Sequence, residues 1–273
     1  MLNFVHILNI KGMKKLMMMA ALMMAVCASA QSDKSPVDAY FTRSEMPDMT
    51  KWYPGPPDTA SVQFAYDITQ YFWGKKMRLC KERADIARRD AVYGLDCIIR
   101  EFSEPFGLQI SKEETPEIYK VLREGTATCD SISTNPKRFY MRKRPFVRFN
   151  EPTLYPADEP HLRTNGSYPS GHTVLGWSSA LLLSEINPER ADTILARGYM
   201  YGESRVIVGA HWQSDVDAAR IAASVAYARL HTSERFLEQM RRARQEFRVK
   251  TGLATIVEMK AYQKAAKKRA QGK

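Results

Sequence analysis

In the middle of the chain, apolar residues recur at intervals of three and four positions, the spacing of one face of an α-helix. Phe64, Ile68 and Phe72 follow this pattern. Residues 83–102 and 116–123 mix apolar and charged positions in the same way. We therefore expect a series of amphipathic helices that begins just after residue 60.

The second half of the chain continues the helical pattern. Residues 172–186 are apolar and rich in small side chains, and residues 189–203 and 214–231 also read as helices. Residues 234–249 have one apolar side. Residues 205–208, of which the last three are β-branched, are the one candidate strand. The pattern predicts an all-α fold class.

Two stretches interrupt this pattern with proline and glycine. The prolines between Tyr53 and Pro57 exclude a helix there, so residues 31–60 are interpreted as an extended, proline-rich arm over the domain surface. Residues 150–171 hold further prolines and read as a long loop, which in a compact domain is often functional. We expect one helical domain at 61–249, followed by a basic tail at 250–273.

The N-terminus has the pattern of a secretory signal peptide. Lys14 and Lys15 precede an apolar run, residues 16–26, and small residues surround Ala30. We expect residues 1–30 to be removed by cleavage after about Ala30 and the mature protein to lie in the periplasm or be secreted. An N-terminal membrane anchor or a buried helix is less favoured. Stable membrane insertion elsewhere is not expected, because no other segment is apolar enough.

Charge and cysteines add two limits. The formal net charge is +11, but residues 250–273 alone carry seven basic residues and one acidic residue. A nucleic-acid-binding tail is one interpretation; a solvated helical end is preferred, so no nucleic-acid partner is expected. Export would leave Cys80, Cys97 and Cys129, enough for one disulfide whose pairing stays open, and no zinc-site spacing is present.

The first candidate segment for chemistry runs from Lys137 to Pro145. Lys137 and Arg144 are two helical turns apart, so both side chains could point from one face. Pro145 disfavours helical backbone at Arg144, which would place the cations near a helix end. A solvated basic face is the alternative if this segment is taken alone.

The second segment, Pro169-Ser170-Gly171-His172, stands directly before an apolar helix. Ser170 suits the N-cap, and Gly171 allows a ligand to approach the backbone. The unpaired N–H groups of a helix start favour an anion, which His172 could contact. A capped helix with a structural histidine is the competing interpretation.

The third segment contains Arg205, His211 and Asp215. His211 and Asp215 are spaced i, i+4, so their side chains would meet on a helix. A carboxylate bonded to one ring nitrogen leaves the other as a lone pair, as an oriented base or nucleophile requires. No carboxylate cluster offers a metal cage, so no metal and no cofactor are expected. Together the three segments favour phosphoryl transfer.

These segments, in this order, resemble the signature of the phosphatidic acid phosphatase type 2/vanadium haloperoxidase superfamily. It reads here as Lys137…Arg144-Pro145, Pro169-Ser170-Gly171-His172 and Ser204-Arg205…His211…Asp215. Residues 50–248 further resemble the bacterial class A nonspecific acid phosphatases. The resemblance implies a single compact multi-helix domain and a metal-independent, secreted acid phosphatase that acts on small-molecule phosphate monoesters and forms homo-oligomers.

The resemblance also implies residue roles. His211 would be the nucleophile that forms a phosphohistidine, Asp215 would orient it, and His172 would be the general acid and base. The phosphate would be bound by Lys137, Arg144, Ser170, Gly171 and Arg205. We expect His172 to begin protonated and His211 neutral, with opposite pKa shifts that give an acidic optimum.

Three alternatives remain open. A vanadium-dependent haloperoxidase could use the same residues, because vanadate resembles the pentacoordinate transition state of phosphoryl transfer. A lipid phosphatase could share the fold. A non-catalytic phosphate-binding protein is disfavoured by His172 and His211 being present together. The physiological monoester cannot be read from any motif.

Overall fold

The structure is a computed structural model that describes residues 37–271. Within that range the regular structure consists of helices, with no β-strand, and the all-α fold class is confirmed. Residues 37–271 belong to one compact unit. The expected signal peptide, with Cys27, lies outside the described residues.

Twelve helices follow one another within residues 37–271. They are α1 (Val62–Met77), α2 (Lys81–Asp90), α3 (Leu95–Phe106), α4 (Pro116–Asp130), α5 (Thr134–Tyr140), α6 (Pro145–Phe149), α7 (Glu159–Arg163), α8 (Gly171–Ile186), α9 (Ala191–Val208), α10 (Gln213–Leu230), α11 (Glu234–Lys250) and α12 (Ile256–Gln271).

Helix α8 lies at the centre of the fold and packs against α4, α9 and α10. Its apolar side chains are buried in the main core, among them Val174, Leu182 and Leu183. Small residues bring α8 and α9 close together: a Cβ on Gly176 would overlap the ring of Tyr201. This close packing fixes the N-terminal end of α8 relative to the C-terminal end of α9.

Two expectations about local structure are wrong. Residues 205–208 form the last turn of α9 rather than a strand. Val206, Ile207 and Val208 are fully buried there, and such burial outweighs the intrinsic preference of β-branched side chains for strands. The expected loop at 150–171 contains a 3-10 turn and helix α7, because that stretch also places Leu162 in an apolar cluster.

The ends of the described range are attached to the domain. Before α1, Met46 and Met49 are buried, and the Tyr168 hydroxyl donates to the Pro54 carbonyl at 2.6 Å. Near the C-terminus, the Tyr262 hydroxyl of α12 donates to Glu246 Oε1 at 2.8 Å. The three cysteines in the described range form no disulfide; they are Cys80, Cys97 and Cys129.

Candidate active site

The N-terminus of α8 forms one wall of the site. Ser170 is its N-cap, as expected, and the Ser170 hydroxyl accepts from the backbone N–H of Thr173 at 3.3 Å. The backbone N–H of Ser170 donates to the carbonyl of Asp215 at 3.0 Å. The second and third sequence segments are therefore joined directly at the backbone.

His211 lies in the short connection between α9 and α10. Helix α9 ends at Gly209, whose left-handed backbone (φ 82°) turns the chain. The backbone N–H of His211 then donates to the carbonyl of Arg205 at 3.3 Å. The expectation that His211 and Asp215 share a helix is wrong, because α10 begins only at Gln213. Their side chains nevertheless meet, with His211 Nδ1 3.4 Å from Asp215 Oδ2.

The Asp215 carboxylate is fully buried and accepts from several donors. The Ser167 hydroxyl donates to Oδ2 at 2.5 Å, and the backbone N–H of Trp212 donates to the same oxygen at 2.9 Å. Arg142 donates to Oδ1 at 2.5 Å. Burial alone would raise the pKa of Asp215, but the charge of Arg142 and the bonds from His211 and Ser167 hold it below its usual range.

Arg144 is held in the site by backbone carbonyls. Its Nε donates to the carbonyls of Leu162 and Asn165, and its terminal nitrogens donate to those of Gly166 and Ala210. Arg144 precedes α6 in extended backbone, whereas Lys137 belongs to α5. The expectation that one helix face presents both cations is wrong, because α5 ends at Tyr140 and Pro145 starts a new helix.

The contact between Arg144 and His211 determines the tautomer of the imidazole. Nη1 of Arg144 lies 2.9 Å from Nε2 of His211. A guanidinium can only donate, so Nε2 is the acceptor and the ring proton is on Nδ1, towards Asp215. Burial, together with the charge of Arg144, lowers the pKa of His211 well below its usual value. His211 is therefore neutral at neutral pH.

His172 is fixed by the chain that follows α2. Its Nε2 lies 2.9 Å from the carbonyl of Ala91, so Nε2 carries the proton and Nδ1 has the lone pair. The ring of Tyr93 packs edge-on against it, with centroids 4.9 Å apart. Burial and the charge of Arg205 lower the pKa of His172. The expected opposite shifts of the two histidine pKa values are wrong for the free protein, because burial and then the same cluster of cations lower both pKa values.

The other two cations are Lys137, which is half-buried, and Arg205. Nζ of Lys137 donates to the carbonyl of Gly166 at 3.1 Å. Burial and the nearby charge of Arg144 lower the pKa of Lys137 to about 7. Arg205 is fully buried, and among the described residues its Nε and Nη1 have no hydrogen-bond partner. An unpaired buried guanidinium is costly, which favours a site that takes an anion.

His172 and His211 line the same cavity, which has a volume of about 540 Å³. Lys137, Arg144 and Gly171 line it as well. Ser170, Arg205 and Asp215 are not part of that lining, and they contact the lining residues from behind. The three sequence segments therefore meet around one cavity, with an imidazole from two of them.

Several residues of the site were missed by the sequence reasoning. Arg142 donates to both Asp215 and Asp67, and Ser167 donates to Asp215. Asp130 lines the cavity. Arg142 and Ser167 lie beside the quoted motifs and could have been considered with them, but Asp67 is on α1 and carries no sequence signal.

Within the described part of the chain, no group of three or more His, Cys, Asp or Glu side chains is placed to hold a metal ion. Among the helices of the same range, none is both long enough and apolar enough to cross a membrane.

Comparison with known proteins identifies relatives of the chain. A family model described as PAP2 superfamily matches residues 122–236. A non-specific acid phosphatase of Providencia stuartii is 45% identical over 209 residues, which cover 76% of this chain and 84% of the relative. An acid phosphatase of Zymomonas mobilis is 34% identical over 219 residues, covering 80% and 81%. The family match includes both cavity histidines.

Proposed function

The chain belongs to the PAP2 superfamily and is related to the non-specific acid phosphatases, and on that basis we propose that it hydrolyses phosphate monoesters through a phosphohistidine on His211. The relatives support a phosphatase enzyme. The observation that carries the mechanism is the state of His211: a neutral imidazole with its proton towards Asp215 and its Nε2 lone pair at a cavity lined by cations.

In the first step Arg144 donates to a phosphate oxygen instead of Nε2 of His211, the freed Nε2 lone pair attacks phosphorus, and the bond between phosphorus and the ester oxygen breaks. The leaving alkoxide takes a proton from His172, and Asp215 stabilises the positive charge that develops on His211. His172 must be protonated for this step. A phosphate anion in the cavity supplies negative charge among the cations, which raises the pKa of His172 above its value in the free protein.

In the second step His172, now neutral, takes a proton from a water molecule that attacks the phosphohistidine. The N–P bond breaks and its electron pair returns to His211. Inorganic phosphate leaves, and both histidines are restored. The alcohol departs with the proton that His172 donated, so the two steps balance.

The equatorial oxygens of the phosphoryl group would be held by five groups. Lys137 and Arg144 supply positive charge from the cavity lining and Arg205 supplies it from just behind the lining. The α8 N-terminus supplies the N–H of Gly171 in the lining and Ser170 directly before it. Loss of one such donor costs on the order of 10²–10³ in rate at comparable oxyanion sites. The unpaired nitrogens of buried Arg205 support this assignment.

Metal independence, export and self-association are further parts of the proposal. Three cations at the cavity can supply the charge stabilisation that a metal would otherwise provide. The pattern of residues 1–30 supports export to the periplasm or medium. The exposed side chains of Val62, Tyr66 and Trp73 lie along one face of α1, and this apolar stripe supports a homo-oligomer.

Hydrolysis of p-nitrophenyl phosphate in the presence of a chelator tests the proposal. We expect turnover by the wild type and loss of about 10³-fold or more in His211→Ala. His231→Ala is a matched control, since His231 pairs with Glu185 outside the cavity. In His172→Ala, an alkaline quench should trap one phosphoryl group on the peptide that contains His211. Full turnover by His211→Ala, or complete inhibition of the wild type by chelator, contradicts the mechanism.

A further inference from the structure

The last residue of α4, Asp130, places a carboxyl group on the wall of the cavity. Its Oδ1 is buried and has no hydrogen-bond partner among the described residues. A buried carboxylate oxygen without a donor is unfavourable, whereas a neutral carboxylic acid costs less to bury and can itself donate. No role for this group follows from the three sequence segments.

Oδ1 of Asp130 lies close to the first residue of α8. A Cβ built on Gly171 would lie 3.6 Å from Asp130 Oδ1 and 3.7 Å from Cε of Lys137. The carboxyl therefore stands beside the N-terminus of α8, on the side from which Lys137 also approaches. Asp130, Lys137 and Gly171 line the same cavity, so an anion bound there would lie near all three.

Charged and titratable groups share the cavity lining with Asp130 or lie next to it. They are Tyr93 before α3, Cys129 on α4, Lys137 and Arg138 on α5, Arg144 before α6, Asp158 and His161 at the start of α7, His172 on α8 and His211 before α10. Burial raises the pKa of Asp130, and it remains raised although a bond from the Tyr93 hydroxyl and the charge of Lys137 act in the opposite direction. Burial therefore shifts the equilibrium of Asp130 towards the neutral acid, against the effect of the nearby cations.

We propose that Asp130 binds the phosphoryl group as a neutral carboxylic acid, donating its proton in a hydrogen bond to a phosphate oxygen, and that its ionisation weakens phosphate binding as pH rises. This rests on the proposed function of the same cavity. The ionised form would present a negative charge to the anion, so one group both supplies a donor at acidic pH and repels the anion at higher pH. Asp130 thereby contributes to the acidic optimum.

The test compares wild type, Asp130→Asn and Asp130→Ala with p-nitrophenyl phosphate as substrate and sulfate as inhibitor, across acidic to alkaline pH. Sulfate remains a dianion over this range, so a change in its inhibition constant belongs to the enzyme. Asn has the shape of the neutral acid and retains a donor that cannot ionise. We expect inhibition of Asp130→Asn by sulfate to persist to higher pH than in the wild type, up to the limit near pH 7 that Lys137 sets. Asp130→Ala should lose about 10²-fold at acidic pH.

Controls separate this proposal from the proposed function. Asp96→Asn, at an exposed position on α3, should reproduce the wild-type profile. Should Asp130→Asn not fold, Asp130→Ser retains a donor without a charge and replaces it. A profile of Asp130→Asn that coincides with the wild type, or an Asp130→Ala variant that is fully active at acidic pH, overturns the role of Asp130. An inactive wild type or a fully active His211→Ala overturns the proposed function instead.

Discussion

Arg142 donates to Oδ1 of Asp215 at 2.5 Å while its other terminal nitrogen donates to Asp67 at 2.7 Å. The guanidinium also lies over the ring of Trp212, 5.6 Å from the centroid. These contacts hold the carboxylate that orients His211. Because Asp67 is on α1, the orientation of the proposed nucleophile depends on a helix that contributes nothing to the cavity lining.

Replacing Arg142 with Lys should therefore lower kcat/KM by about 10–100-fold, since an ammonium cannot bridge two carboxylates in the planar geometry. The direction in which the pH profile of kcat/KM moves follows from the pKa of Asp215. Arg142 helps to keep the pKa of Asp215 low, so a weaker partner lets that pKa rise and moves the acidic limb of kcat/KM upward. The pH profile of kcat/KM measures this shift of the acidic limb.

Arg148→Lys is the control, because Arg148 also packs on Phe64 but is exposed. An unchanged acidic limb would contradict the argument.

Asp90 should position His172 through the backbone. Its carboxylate accepts from Arg197 at 2.5 Å and from the Ser204 hydroxyl at 2.6 Å. Asp90 also precedes Ala91, whose carbonyl holds Nε2 of His172. In Asp90→Asn we expect kcat to fall about 10-fold with little change in KM, because the proposed general acid, His172, is displaced while the proposed phosphate-binding groups remain.

The same substitution leaves the buried guanidinium of Arg197 without its main partner, which should reduce the free energy of unfolding by about 3 kcal/mol. Urea unfolding measures this loss. Arg197→Lys distinguishes positioning from stability alone: it should lose comparable stability but keep more of kcat, since the bond between Asp90 and Ser204 is intact. Equal losses of kcat in the two variants would mean that only stability matters.

Short-range sequence patterns predicted much of this site. The contacts that they did not predict depend on tertiary packing. Ser170 was recognised as an N-cap because its neighbours in sequence are also its neighbours in space. The i, i+4 spacing of His211 and Asp215 indicated their contact but not its geometry, since a loop running into a helix brings the same two residues together. Asp67 reaches the site only through the packing of α1 on α10.

Lys137 should make both stability and phosphate binding depend on pH. Its pKa in the folded protein is about 7, below the value of about 10.4 in an unfolded chain. The unfolded state therefore binds more protons between these values, so this residue lowers stability below about pH 7 and its penalty disappears as pH rises towards 10. Lys137→Met should remove the penalty and be more stable than wild type at about pH 6.

As pH rises, phosphate binding should weaken, whereas the contribution of Lys137 to stability becomes less unfavourable. The ammonium is needed for the anion, so the rise in melting temperature that phosphate produces should decline above about pH 7 in the wild type. Lys137→Arg keeps its charge and should extend this stabilisation to higher pH. Differential scanning fluorimetry with and without phosphate measures both effects. Equal stabilisation by phosphate at pH 6 and pH 9 would exclude this role for Lys137.

Two glycines at the site, Gly171 in the cavity lining and Gly166 next to it, should respond oppositely to alanine. A Cβ on Gly171 meets nothing closer than 3.6 Å, whereas a Cβ on Gly166 would overlap the carbonyl oxygen of Lys137. Gly171→Ala should fold normally and gain up to about 1 kcal/mol from helix propensity, yet lose phosphate affinity because the methyl group enters the space beside Asp130 and Lys137. Gly166→Ala should lose about 1–3 kcal/mol through overpacking.

Urea unfolding and inhibition by inorganic phosphate, measured on both variants, check the contrast. The overlap at Gly166 would also displace its carbonyl, which accepts from Lys137 and Arg144, so its loss of stability should be accompanied by a loss of activity. At Gly171 the two properties should separate, since only the approach of the anion is blocked. If Gly171→Ala retains the wild-type inhibition constant for phosphate, the anion does not bind at the N-terminus of α8. The phosphate site would then consist of the cations alone.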